Sequence, residues 1–184
     1  IEVAYNALPT FNWPKDESES LKRLHSLTNE DPFFIYVGAI HERKNLKRLV
    51  QAFEEFRKGL SIPFHLIIAG SPHSHFASEW EAFLKSIGSS YVHSTGRICD
   101  EDKFIWLQQS IAMIYPSLFE GFGIPLLEAW RSETAVITSN STALPEIAKD
   151  AALLINPEST DSIVEAMKSI LENDVLRKDL ISKG

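Results

Sequence analysis

Cysteine is almost missing from this chain: Cys99 is the only one in 184 residues. No internal disulfide can form, which is compatible with the cytoplasm. Long apolar runs are missing too. None approaches the roughly 20 residues that a membrane-spanning helix needs. No targeting segment is visible, and the chain opens in mid-pattern, as a fragment of a longer protein would. Positive charge is scarce: 18 Lys and Arg against 25 Asp and Glu leave a net charge of −7. No basic stripe stands out, which argues against nucleic acid as the main partner. There is no internal repeat, no low-complexity segment and no Cys/His set of the kind that holds zinc.

What is present suits one soluble domain with a sizeable core, at 44% hydrophobic and 23% charged residues. Residues 1–31 read as an irregular, polar linker, with Pro9, Pro14 and the run Lys15 to Ser20. A short helix is expected over Ser20–Leu27. From residue 32 to residue 184 the pattern becomes regular. Near-continuous apolar runs at Phe33–Val37, Phe64–Ala69, Ile111–Tyr115, Ala135–Thr138 and Ala151–Ile155, with a weaker one at Tyr91–Ser94, have strand length. Strands apolar on both faces belong to a parallel sheet covered by helices. The intervening stretches supply those helices: Leu46, Leu49, Val50, Phe53 and Phe56 share one face, as do Phe76, Trp80, Phe83 and Leu84, and later Ile163, Ala166, Met167 and Ile170. The expected fold class is α/β, a doubly wound, Rossmann-like parallel sheet of about six strands.

Ligands of such sheets bind beyond the carboxyl ends of the strands, so chemistry is sought there. After the first strand come Arg43 and Lys44, adjacent cations that suit a diphosphate: a planar fork beside a point charge. A solvated basic helix start is the plainer alternative, but cations are slightly unfavourable at a helix N-terminus. After the fourth apolar run come Glu120, Gly121, Phe122, Gly123, Ile124, Pro125 and, three residues on, Glu128. Glycines allow close backbone approach and positive φ. Pro125 suits the first helical position, which puts Glu128 in the first turn and makes the turn's N–H groups an anion site. Glu128 at a helix start could serve the macrodipole alone, and Glu120 could be an ordinary loop residue. The two together, with the glycines, favour a ligand site. Leu126 stands where a dinucleotide fingerprint has its third glycine, and no Lys-Ser/Thr pair makes a P-loop.

Other candidates read as structural. Asp100, Glu101 and Asp102 open a helix, where acids cap and complement the dipole, in preference to binding a metal. His73 and His75 read as solvent-facing loop residues. Trp80, Trp106 and Trp130 fall at apolar helical positions. Cys99 has no catalytic partner nearby in sequence.

Taken together, these strand ends resemble the retaining, nucleotide-sugar-dependent glycosyltransferases of GT-B fold (glycosyl transferases group 1). The likeness runs from about Ile1 to Ile181 and covers the C-terminal, donor-binding half of such enzymes. Pro116 to Glu128 looks like the family's Glu-x7-Glu signature. Val37–Gly38 with Arg43–Lys44–Asn45 resembles its first strand and phosphate-binding loop. Gly96 to Asp102 resembles the loop near the base, and Val3 to Leu8 the segment that enters this domain from the N-terminal one. Two positions depart from the pattern: Ala39 follows Gly38 where many members have Arg, and Arg131 to Ala135 replaces a small residue followed by Gly-x-Pro.

The resemblance implies roles. Glu128 would bind the ribose hydroxyls and Glu120 a hydroxyl of the donor sugar. Backbone N–H groups of Phe122, Gly123 and Ile124 would contact sugar and phosphates. Arg43 and Lys44 would neutralise the departing diphosphate. Gly38 would line the donor site, with Arg97 and the Ile98 backbone near the base. No metal cofactor is implied in this domain. The partners implied are a GDP- or UDP-linked sugar and an N-terminal domain outside this sequence, without which the fragment is expected to be inactive. Peripheral contact with the inner face of a membrane is compatible with the whole protein. Arg43–Lys44–Asn45 leans towards a mannosyl donor. A non-catalytic, receiver-like nucleotide-binding module and a GT-B sugar-nucleotide epimerase remain as alternatives. The first is disfavoured because Gly38–Ala39 and Thr95–Gly96 supply no acidic strand ends.

Overall fold

The computed structural model describes Trp13 and residues 16–184. The expected entry segment Val3 to Leu8 lies outside the described residues. Six parallel strands form one sheet: β1 (Phe33–Val37), β2 (His65–Ala69), β3 (Val92–Gly96), β4 (Ala112–Tyr115), β5 (Val136–Ser139) and β6 (Leu153–Ile155). Their order is β3-β2-β1-β4-β5-β6, the doubly wound arrangement whose order reverses between β1 and β4. Register is continuous from Phe33 opposite His65 to Val37 opposite Ala69.

The four central strands are buried along their whole length, as near-continuous apolar runs require. β3 is only half-buried at the sheet edge, which is why its sequence, Val-His-Ser-Thr-Gly, is the least apolar. The helices that cover the sheet are α1 (Ser18–Thr28), α2 (Leu46–Arg57), α3 (Ala77–Ile87), α4 (Asp100–Gln109), α5 (Ile124–Arg131), α6 (Leu144–Ala148), α7 (Thr160–Glu172) and α8 (Asp174–Lys183). The apolar face of α2 lies over the sheet. Phe56 packs with Phe34 and Phe64, and Phe53 with Phe64, at ring separations of 5.4 to 6.5 Å.

The helix expected over Ser20–Leu27 is α1, slightly longer and firmly attached. Leu24 enters the core. Ser20 Oγ donates to Asp102 at 2.6 Å, Arg23 forms a two-nitrogen pair with the same carboxylate, and Trp106 Nε1 donates to the Ser20 carbonyl. Asp102 is therefore more than a dipole partner at the start of α4: it bolts α1 to α4. Burial works against the Asp102 charge, but the bonds from Arg23 and Ser20 prevail and hold its carboxyl below the ordinary aspartate range.

Candidate functional site

The switch point between β1 and β4 opens a cleft of about 400 Å³, within the size range of small-molecule sites. Its floor is the end of β1 (Val37, Gly38, Ala39) and the end of β2 (Ala69, Gly70, Ser71). Its walls come from the loop into α4 (Arg97, Ile98), from the first turn of α4 (Asp100, Lys103) and from Glu128 on α5. The floor is tight because two glycines meet there. A Cβ on Gly70 would stand 1.8 Å from the Gly38 carbonyl oxygen, so no other residue fits without parting the loops. Beyond the sheet the two loops stay laced: Ile40 N–H donates to Ser71 O, and His73 N–H donates back to Ile40 O. Tyr36 OH reaches round to the Ala39 carbonyl at 3.0 Å.

Arg43 and Lys44 lie on a single 3-10 turn, Glu42–Lys44, capped by His41 and ended by Asn45 in the left-handed region at φ 61°. Asn45 donates to the carbonyls of Pro116 and Pro157, and Leu118 N–H donates to Arg43 O at 2.8 Å. The turn after β1 and the loop after β4 are thereby fixed against each other, and their charges converge. Arg43 Nη1 donates to the Phe119 carbonyl at 2.8 Å and to Glu120 Oε1 at 2.9 Å. Lys44 Nζ is 2.5 Å from the same Oε1 and also donates to Tyr115 OH. Tyr115 OH donates in turn to Glu120 Oε1 at 3.1 Å. Glu120 N–H donates to Thr142 Oγ1.

Glu120 is 8% exposed and Lys44 6%. A solvated basic helix start does not describe Lys44. Burial lowers the Lys44 ammonium pKa even against the bond to Glu120. For Glu120 burial pulls the other way, and the bond and charge of Lys44 outweigh it, so its carboxyl sits below the usual glutamate range. Tyr115 is driven upward by burial and by the Glu120 charge, so it stays a protonated donor.

The second glutamate stands elsewhere. Gly123, at φ +115°, is the N-cap of α5, and a Cβ there would press on Leu144 at 2.8 Å. Helix α5 starts at Ile124, so Pro125 is its second residue and not its first. Glu128 is the fifth residue, beyond the first turn, which holds no acid. This corrects the sequence reading, and it removes the macrodipole as a sufficient reason for Glu128. Instead, Glu128 Oε1 takes a 2.7 Å bond from Lys103 Nζ across the cleft, and Lys103 also reaches Asp100 at 2.9 Å.

The sequence candidates therefore fall into two neighbouring groups. Gly38, Arg97, Ile98 and Glu128 share the cleft. Arg43, Lys44 and Glu120 form one ion cluster. Phe122, Gly123 and Ile124 lead from Glu120 into α5. The sequence reading missed Tyr115, Lys103 and Thr142. Lys103 had a signal, three residues after Asp100 on a helix that starts at a strand end. Tyr115 looked like the last apolar residue of a strand. Among the described residues, no three His, Cys, Asp or Glu side chains gather as a metal set: Asp102 turns inward to α1 and Asp100 to Lys103.

Residues 17–184 match the family model described as Glycosyl transferases group 1. The chain belongs to that family. Among relatives, O-antigen chain mannosyltransferase B of Escherichia coli is 29% identical over 152 residues, which is 83% of this chain and 40% of that protein. O-antigen chain mannosyltransferase C of Escherichia coli is 32% identical over 149 residues, 78% of this chain and 38% of that one. The chain thus spans about 40% of the length of these relatives. In fold, it superposes on the C-terminal domain of a group 1 family glycosyl transferase from Francisella tularensis with a TM-score of 0.72 at 20% identity, covering 94% of each chain. Sucrose-phosphate synthase from Thermosynechococcus elongatus gives 0.75 at 23% identity, covering 92% of this chain and 42% of that one. The six-stranded sheet is that of one half of a GT-B glycosyltransferase.

Proposed function

We propose that this chain is the donor-binding lobe of a retaining glycosyltransferase that takes a hexose, mannose by preference, from a nucleoside diphosphate sugar. The observation that carries the reading is the division of charge between the two glutamates. Glu128 faces the cleft of about 400 Å³, where in this reading the ribose and base lie between β2 and α4. Glu120 lies beside Arg43 and Lys44 at the turn that enters α5. A donor lying along α5 has its ribose hydroxyls at Glu128, its base by Arg97 and Ile98, its diphosphate by Arg43, Lys44 and the start of α5, and its sugar at Glu120. Departure of the diphosphate builds negative charge, and the two cations and a helix N-terminus stabilise it there. The sugar acquires oxocarbenium character, as in glycoside hydrolysis. The two lysine- and arginine-borne charges supply what a divalent ion otherwise would, so activity is expected to persist in a chelator.

The two mannosyltransferases from Escherichia coli favour mannose and hence GDP as the nucleotide. In this reading the acceptor is held by a second lobe outside this sequence, and the isolated chain binds donor weakly and transfers little sugar. The test is calorimetry with GDP, GDP-mannose, UDP and UDP-glucose on the enzyme containing this chain, followed by the anomeric configuration of the product. Binding of one nucleotide series, loss of it in Glu128→Ala, and a product with the donor's configuration are expected. No binding at millimolar concentration, with an unchanged Glu128→Ala variant, would sink the proposal.

A further inference from the structure

Three donors crowd onto one oxygen of Glu120, and they are not equivalent. Arg43 and Lys44 are the cations that an incoming diphosphate attracts. Arg43 has the freedom to turn, its side chain being 45% exposed. Tyr115 is neutral and is 1% exposed. Its ring is stacked on Tyr36 at 5.7 Å with an interplanar angle of 9°, and its backbone carbonyl is tied by Thr138 Oγ1. It cannot follow a phosphate.

We propose that Tyr115 is a positioning residue: it holds Glu120 Oε1 in place while Arg43 turns towards the diphosphate, so that the carboxylate stays aimed at the donor sugar. The inference rests on the donor-binding reading above and adds to it a residue that touches neither sugar nor phosphate. Burial and the neighbouring carboxylate keep the phenol protonated, so the O–H remains available as a donor when Arg43 moves. Lys44, which donates to the same phenol oxygen, fixes the direction of that O–H towards Glu120.

The test compares two ligands on the enzyme containing this chain. Tyr115→Phe keeps the ring against Tyr36 and removes only the hydroxyl. Affinity for the nucleotide sugar is expected to fall about ten-fold, the scale of one hydrogen bond to a charged group. Affinity for the nucleoside diphosphate, which has no sugar for Glu120 to hold, is expected to stay within about two-fold on the same scale. The effect must also pass through Glu120: in a Glu120→Gln background, adding Tyr115→Phe is expected to change sugar-nucleotide affinity little, the signature of coupled residues. Equal losses for both ligands, or a full loss persisting beside Glu120→Gln, would overturn the assignment. If the Phe variant does not fold, 4-fluorophenylalanine at position 115 fills the space of the hydroxyl without donating: lost sugar preference supports the role, and full retention overturns it. Failure of the wild-type enzyme to bind either ligand refutes instead the donor-binding reading beneath.

Discussion

Lys103 stands between two carboxylates, 2.7 Å from Glu128 on α5 and 2.9 Å from Asp100 in its own helix. The relationship is lopsided. Glu128 has one charged partner among the described residues, whereas Lys103 has two. Burial alone would lower the Lys103 ammonium, and the two carboxylates more than reverse it.

That asymmetry separates two substitutions. Lys103→Met strands a carboxylate that is only 15% exposed and is expected to cost about 1–2 kcal/mol of stability. Glu128→Gln leaves Lys103 paired with Asp100 and is expected to cost under about 0.5 kcal/mol. Ligand binding should reverse the order: Glu128→Gln lowers nucleoside diphosphate affinity about ten-fold, if Glu128 takes the ribose hydroxyls. Denaturant titration and calorimetry on the same two proteins check both halves.

The cation pair divides in a similar way. Arg43 is well solvated on one side, so Arg43→Ala is expected to change stability by under about 1 kcal/mol. Lys44 is enclosed with Glu120, and Lys44→Ala is expected to cost about 2 kcal/mol or more because a buried charge loses its nearest partner. Both should weaken diphosphate binding. Thermal melting separates the two variants, and a Lys44→Ala protein as stable as Arg43→Ala would contradict the burial argument.

Gly70 is the most sterically constrained position in the cleft floor. With the Gly38 carbonyl 1.8 Å from the position of a Cβ, Gly70→Ala is expected to destabilise by about 3 kcal/mol. An unshifted denaturation midpoint would show that the two loops can part at no cost.

Acid should weaken the fold in two stages. His93 sits against His65, with ring nitrogens 2.9 Å apart, and burial first, then the His65 charge, depress its pKa below 6.5. The unfolded chain therefore binds this proton more readily, and stability present above pH 6.5 is lost as pH falls towards the depressed value. Asp102 is also depressed, from 3.8. Its contribution is complete above that pH and is lost below it, as the carboxyl tied to Arg23 takes a proton. Unfolding titrations across pH should show both slopes. Substituting His93→Gln should flatten the first slope and Asp102→Asn the second.

How much of this is legible in the sequence depends on range. The strands are legible because each is a local apolar run, and β3 is the faintest because an edge strand needs less apolar surface. The carboxyl ends of those strands then point to the loops that line the cleft and carry the ion cluster. What sequence spacing cannot carry is which side chains meet. Lys103 and Glu128 come from different helices. Tyr115 looks like one more strand residue until Lys44, from another strand end, arrives beside it. The misjudged start of α5 has a local cause: Pro125 is as acceptable at the second helical position as at the first, since neither N–H has a partner within the helix. One residue of offset moved Glu128 from the helix entrance to the wall of the cleft.

The lacing of the loops after β1 and β2 has a consequence for how such a site changes. Two glycines in contact, a pair of crossed backbone bonds and a tyrosine reaching Ala39 make the cleft floor an extension of the sheet. At the contact between Gly38 and Gly70 there is no side chain to exchange and no room to add one. A ligand of different shape is accommodated more readily at the walls, where Arg97, Asp100 and Lys103 face Glu128. New preferences therefore arise by substitution on α4 and α5 while the backbone beneath stays as it is.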